Sequence, residues 1–161
     1  MSSQKRVKLT TDGACIGNPG PGGWACVMRF GTVIGEMFGH EPHTTNNRME
    51  LTAVINGLRA LQESCDVDVF TDSQYVRRGM TEWIEGWKSR GWVRKERGGA
   101  VVPIPNKDLW QVLEKEVDRH SVNWNWVRGH AGDPDNDRCD KLANRAARAQ
   151  ESSNGLIRRE A

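Results

Sequence analysis

The first half of the chain runs through short alternating segments separated by glycine-rich turns, and then its period changes. Val7, Leu9 and Thr11 alternate with Lys8 and Thr10, the two-residue period of a strand with one face turned inward. The loop Gly17-Asn18-Pro19-Gly20-Pro21-Gly22-Gly23 leads to a second strand over 24–30, and Gly31-Thr32 turns into a third over 33–39. These three are expected to form an antiparallel meander. Leu51, Val54, Ile55, Leu58 and Leu61 then recur at helical spacing, with Thr45, Asn46 or Asn47 as the cap. A fourth strand over 67–72 follows that helix, which predicts a parallel placement beside the first. Helices over 73–79, 81–87 and 106–117 come next. A fifth strand over 121–128, alternating Val122, Trp124 and Trp126, and a last helix over 136–150 complete the order. The sequence βββαβαααβα predicts an α/β fold, a mixed five-stranded sheet flanked by helices. It reads as a single domain over 1–150 with a mobile tail over 151–161.

Four carboxylates stand out against this pattern. Asp12 and Asp72 close strand-like runs, Glu50 opens the first long helix one residue before its apolar stripe, and Asp140 follows the glycine-flanked His130. An aspartate at a strand end is ordinarily a turn former, and Asp72-Ser73 alone suits a helix cap. As a set the four are harder to dismiss, because parallel first and fourth strands bring Asp12 and Asp72 together. Converging carboxylates repel one another unless cations sit between them. Hard cations such as Mg²⁺ take carboxylate and water oxygens, usually with substrate phosphates. Two of them roughly 3.5–4 Å apart stabilise both attacking and leaving oxygens in phosphodiester hydrolysis.

Composition narrows the class. With 161 residues, 37% hydrophobic and 27% charged, the chain has material for one packed core and is not a disordered polymer. No apolar run reaches the roughly 20 residues of a membrane span. Met1-Ser2-Ser3-Gln4-Lys5-Arg6 is not followed by a secretory apolar segment, so a cytoplasmic location is expected. Cys15, Cys26, Cys65 and Cys139 lack metal-ligand spacing and read as free thiols. The glycine-rich loop has no Gly-Lys-Ser/Thr and precedes a strand, which excludes a P-loop and any organic nucleotide cofactor bound by one.

Net charge is only +2, but its distribution is uneven. From 77 to 97, seven bases (Arg77, Arg78, Lys88, Arg90, Arg94, Lys95, Arg97) stand against three acids (Glu82, Glu85, Glu96). Trp83, Trp87 and Trp92 are interleaved with them, and Trp110 lies further on. Such runs are usually a solvated face around a small aromatic core. Bases mixed with aromatics also suit a surface that follows a phosphate backbone. Trp83 and Trp87, four apart, share one helix face, so at least one of them is expected in the core.

The element order and several local motifs together resemble type 1 ribonuclease H, the bacterial-type enzyme that cleaves RNA in RNA–DNA hybrids. The motifs are Thr11-Asp12-Gly13-Ala14-Cys15 with Gly17-Asn18-Pro19-Gly20, Thr45-Asn46-Asn47-Arg48-Met49-Glu50-Leu51, Thr71-Asp72-Ser73-Gln74-Tyr75-Val76, and Trp126-Val127-Arg128-Gly129-His130-Ala131-Gly132 running into Arg138-Cys139-Asp140. The resemblance spans about 8–149 and implies a ribonuclease H-like fold acting as a monomer. It implies that Asp12, Glu50 and Asp72 hold one Mg²⁺, that Asp12 and Asp140 share a second, and that Mn²⁺ can substitute. His130 would move a proton or help product leave, a task suited to a pKa near 6.5. By the same resemblance Cys15 and Asn18 face the substrate, and Asn46, Asn47, Ser73 and Gln74 lie near the RNA sugars. Amides donate and accept, as reading a 2′-hydroxyl requires. Thr45 would help hold a phosphate of the DNA strand. Trp83, Lys88, Arg90, Trp92, Arg94, Lys95 and Trp110 would belong to a basic protrusion over that strand. Glu96 and Gly98-Gly99 depart from the family's protrusion, and Asp133 stands where relatives often carry a non-acidic residue.

Two other readings compete. A hybrid-binding module without catalysis would keep the basic ridge but tolerate Asn or Ala at the acidic positions, and all four acids are present. A transposase, integrase or junction resolvase shares the same sheet, so fold alone does not decide. The amide set and the ridge favour hybrids.

Overall fold

The computed structural model describes residues 5–128 and 132–160. Strands β1 (Lys5–Cys15), β2 (Gly20–Phe30) and β3 (Val33–Thr44) form the expected antiparallel meander. Helix α1 (Asn46–Arg59) follows, capped by the Thr45 hydroxyl, which accepts from the Arg48 amide. β4 (Cys65–Thr71) then pairs parallel with β1. A short α2 (Gln74–Arg78), a π-helical turn over Gly79–Trp83 and α3 (Ile84–Ser89) run on from one another. After α4 (Lys107–Arg119), β7 (Ser121–Trp126) joins parallel to β4, and α5 (Pro134–Ala149) closes the expected order.

Three strands were not anticipated by the hydrophobic pattern. β5 (Val93–Lys95) and β6 (Val101–Pro103) form a separate two-stranded ribbon around Gly98-Gly99. β8 (Ile157–Glu160) pairs antiparallel with β3, so the main sheet has six strands rather than five, in the order β7-β4-β1-β2-β3-β8. The segment expected to be a mobile tail therefore forms the sheet edge. Ser153 ties it down further, donating its amide and its hydroxyl to the Phe38 carbonyl. All four residues of β8 are exposed, so the strand is held by backbone pairing and not by an apolar face.

The alternation in β2 divides the core. Cys26 and Met28 join Val7, Leu9, Val67, Val69 and the α1 stripe, whereas Ala25 and Val27 pack with Ile34, Cys139, Leu142 and Ala143 of α5. The sheet is thus covered on both faces, and its strand ends open between α1 and α5. No described helix is long and apolar enough to cross a membrane.

His120, just past α4, is buried in the first of these clusters. Its Nδ1 accepts from the Cys65 amide at 3.1 Å, which leaves Nε2 to donate to the Leu58 carbonyl at 3.1 Å. Burial lowers its pKa from 6.5. The folded chain thus resists protonation there, while the unfolded chain accepts a proton below about pH 6.5. The stability it contributes is complete above that pH and is lost as pH falls toward the folded pKa. Urea melts at pH 7.5 and 5 should show a larger acid loss for wild type than for His120→Gln, and equal losses would refute a neutral buried imidazole.

Candidate active site

Four chain segments bring the acids together. The parallel register pairs Thr10 with Phe70, so two residues on, Asp12 meets Asp72 where β4 ends. Glu50 arrives from the first turns of α1 and is itself buried, not at the margin of the apolar stripe. Its approach depends on Gly13. A Cβ there would lie 2.6 Å from the Glu50 amide nitrogen and the Met49 carbonyl carbon, so a larger residue would push α1 off β1. The Gly13 amide donates to both acids, to Asp12 Oδ1 at 2.9 Å and to Glu50 Oε1 at 3.2 Å. Asp140 reaches the same pocket from α5. The pocket holds about 370 Å³ and is lined by these four acids with Asn46, Asn47, Ser73, Gln74 and Tyr75.

Carboxylate oxygens of Asp12, Glu50 and Asp72 all lie within 4.8 Å of one another. Burial, and then the charge of Asp72, push the Asp12 carboxyl up to about 7. Burial, and then Asp12 and Asp72, hold Glu50 well above the ordinary carboxylate range. Glu50 Oε2 is buried without a hydrogen-bond partner. Protein hydrogen bonds thus leave the ionised cluster short of partners, which a hard cation would supply. The residues fit a metal centre. Asp140 adds a fourth oxygen donor, and the Asn144 amide orients it by donating to Oδ1 at 3.1 Å.

Of the polar residues expected at the substrate, Asn46, Asn47, Ser73 and Gln74 line the acidic pocket, and Cys15, Asn18 and Thr45 lie outside its lining. Thr45 and Ser73 cap α1 and α2 by accepting backbone amides, which leaves each hydroxyl proton to donate elsewhere. The exposed Asn18 Oδ1 accepts from the Asn46 amide at 2.9 Å and so pins the glycine-rich loop to the head of α1. The Cys15 thiol donates inward, to the Gly20 and Thr44 carbonyls, and is half-buried at the root of the same loop. Asn47 and Gln74 are exposed at the rim. His130 lies outside the described residues. Asp133, the departure noted beside it, caps α5 by accepting from the Asp135 amide at 2.9 Å.

The basic and aromatic set divides. Trp110 is fully buried and cannot touch a substrate. It packs on Tyr75 and Trp87 with ring centroids 5.2 Å from each, and its indole N–H donates to the Tyr75 hydroxyl. Trp83 and Trp87 do share a face, at 5.7 Å, and both are half-buried. With Tyr75, Arg94, Ile104 and Pro105 they line a second cavity of about 320 Å³. Trp92 packs against Trp87 at 6.2 Å. Lys88 is directed at Glu114, 2.8 Å away, so its charge is shared with the protein. Arg90 and Lys95 are exposed, and Arg94 makes only a 3.6 Å pair with Glu96.

A linking network escaped the sequence reading. Arg48 makes a two-pronged pair with Asp108 and donates to Asn106 Oδ1, and Asn106 donates to the Tyr75 hydroxyl. It joins α1, α2 and α4, and so ties the acidic pocket to the aromatic cavity. Its signal was present, since Arg48 and Tyr75 both sit inside the acid-bearing motifs.

This geometry coincides with family membership. Residues 4–148 match the family RNase H. The chain belongs to the ribonuclease H family. As a member of bacterial type it is an endoribonuclease. Among similar curated proteins, Ribonuclease H of Solibacter usitatus is 56% identical over 149 residues, covering 92% of this chain and 99% of that protein. Ribonuclease H of Marinobacter nauticus is 56% identical over 143 residues, covering 89% and 95%. Among solved structures, LC9-RNase H1, a type 1 RNase H with the type 2 active-site motif, superposes with a TM-score of 0.86 at 35% identity, covering 100% of this chain and 80% of that one. LC11-RNase H1 in complex with RNA/DNA hybrid shares the fold, with a TM-score of 0.65 at 22% identity over 89% of this chain and 98% of that one.

Proposed function

We propose that the acidic pocket binds Mg²⁺, with Mn²⁺ as a substitute, and there hydrolyses the RNA strand of RNA–DNA hybrids, leaving 5′-phosphate and 3′-hydroxyl ends. The observation that carries this reading is the three-acid cluster with a buried, unpartnered Glu50 oxygen. Asp12, Glu50 and Asp72 would hold one ion, and Asp12 with Asp140 a second. Such ions would supply a lowered pKa for the attacking water and charge stabilisation for the departing oxygen.

The chain's own residues place the substrate. Asn46, Asn47 and Gln74 offer amides at the pocket rim, and Ser73 a hydroxyl, to the sugar edge of the RNA strand. Cys15, Asn18 and Thr45 shape the adjoining loop. The DNA strand runs toward the aromatic cavity, where Trp83 and Arg94 take sugar and phosphate, with Arg90, Trp92 and Lys95 beside them. Contacts to backbone and sugar read no sequence directly, so cleavage is without sequence preference. His130 handles the proton of the leaving group, a role that rests on the resemblance. All four acids come from one chain, which supports a monomer. Four free thiols support a cytoplasmic setting.

Purified protein with Mg²⁺ should cut the RNA of a labelled hybrid, spare duplex DNA of the same sequence, and stop on adding EDTA. Folded, metal-replete protein that binds hybrid without cutting it would instead establish the binding-module reading.

A further inference from the structure

The pocket acids are placed by different means. Asp12 is paired with Ala25 in the β1–β2 ladder, Asp72 directly follows β4, and α1 brings in Glu50 over Gly13. Asp140 sits on a helix, which shares no ladder with the sheet, and its oxygens fall outside the tight three-acid cluster although it lines the same pocket. Its distance from the others depends on how α5 lies across β1, β2 and β3.

Apolar packing of Cys139, Leu142 and Ala143 and a close approach to Gly23 seat α5 on the sheet, and two carboxylate–arginine clamps hold its first turns. Asp135, buried in the first turn of α5, accepts from Arg29 on β2 through both oxygens, at 2.7 and 2.8 Å, with Lys8 of β1 at 3.3 Å. One turn on, Arg138 grips Glu36, buried on β3, at 2.7 and 3.1 Å, and Arg159 of β8 approaches the same carboxylate at 3.6 Å. The Cys139 thiol, next to Arg138 in the chain, donates to the Thr10 carbonyl at 3.2 Å.

Stability alone is a poor reason for these pairs. Each joins a buried carboxylate to an arginine that is nearly half exposed, and partly solvated ion pairs contribute little. The first clamp also requires Lys8 and Arg29 to stand directly opposite each other across β1 and β2, an unfavourable like-charge pairing. What a two-pronged arginine–carboxylate pair supplies beyond an apolar contact is fixed geometry.

We propose that Asp135 with Arg29, and Arg138 with Glu36, are positioning residues that set the register of α5 and so deliver Asp140 to the metal centre. The inference rests on the pocket being a metal centre. Arg159 extends the second clamp to β8, so the C-terminal strand shares in holding the fourth acid.

The test uses the full chain with each clamp replaced by an apolar pair, Arg29→Met with Asp135→Leu, and Glu36→Leu with Arg138→Met. A milder variant, Arg138→Lys, keeps the charge and removes the fork. Mn²⁺ binding is measured by calorimetry without nucleic acid, beside the melting temperature and hybrid cleavage across Mg²⁺ concentrations. Both double variants should fold and bind Mn²⁺ roughly ten- to a hundredfold more weakly, with kcat reduced and KM for hybrid unchanged. Arg138→Lys should lie between them and wild type. Folded variants, Arg138→Lys included, with wild-type Mn²⁺ affinity and kcat would overturn the proposal. If wild type binds Mn²⁺ but leaves hybrid uncut, the cleavage reading fails, and the difference in Mn²⁺ affinity still decides the role of the clamps.

Discussion

Asp12→Asn should melt higher than wild type in EDTA at pH 8, yet cleave hybrid at least about 10³-fold more slowly. The two effects have one cause. The folded-state pKa of Asp12 is raised from 3.8 to about 7 by burial and by Asp72. A raised folded pKa contributes stability that is complete below 3.8 and lost as pH rises through about 7. At pH 8 the metal-free wild type therefore holds an unfavourable charge that Asn lacks, while Asn Oδ1 can still accept from the Gly13 amide. At about 1.4 kcal/mol for each tenfold change in proton affinity, the upper bound is about 4 kcal/mol. Water entering the open pocket reduces this, so a gain of several degrees is expected. At pH 5 the wild-type carboxyl is protonated in the folded chain but still ionised in the unfolded one, so the gain should shrink to under half, and it vanishes only below 3.8. With saturating Mg²⁺ the order reverses, because the ion stabilises the form it binds. Loss of the charge removes several kcal/mol of transition-state stabilisation, which sets the scale of the rate effect. Equal melting temperatures in EDTA at pH 8, or cleavage at the wild-type rate, would disprove the assignment of Asp12.

Trp110→Ala should destabilise the fold by about 3–5 kcal/mol, the usual cost of deleting a buried aromatic ring. For a chain of this size that corresponds to a fall in Tm of roughly 10 °C. The ring is wholly enclosed, and Gly79 is present because any Cβ there would collide with it. Its loss leaves a cavity beneath Tyr75 and Trp87 and removes a donor from the Tyr75 hydroxyl. Trp110→Phe should recover most of the loss, because it restores most of the ring but not the N–H. A surface contact behaves differently, with weaker hybrid binding at unchanged Tm, and that result for Trp110→Ala would return the residue to the substrate face. Thermal melts of the three proteins, with hybrid affinity measured on the same samples, separate the cases.

Trp110 belongs to the core and not to the protrusion that the resemblance implies. Trp110, Leu113 and Val117 recur at helical spacing, which marks the inward face of α4, and the first two are fully buried. That periodicity was the better guide than the nearness of tryptophans to bases. The break expected between the helices over 73–79 and 81–87 is a continuous π-helical turn, since Gly79 brings that backbone against the Trp110 ring. The ribbon of β5 and β6 had a legible turn in Gly98-Gly99, but its arms are too short and polar to show alternation. β8 left no hydrophobic trace because no side chain in it is buried.

Sequence by itself determined the meander, the parallel fourth strand, the helix that follows a change of period, and the identity of four acids in four separate motifs. Those features are local, carried by side-chain period, turn chemistry and residue type. Only the tertiary structure decided how near the acids come, which one lacks a partner, and which bases are already matched by Glu114, Asp108, Glu36 or Asp135. Charge pairing and burial are properties of segments distant along the chain, and their energies depend on separation in space, which period and composition do not encode.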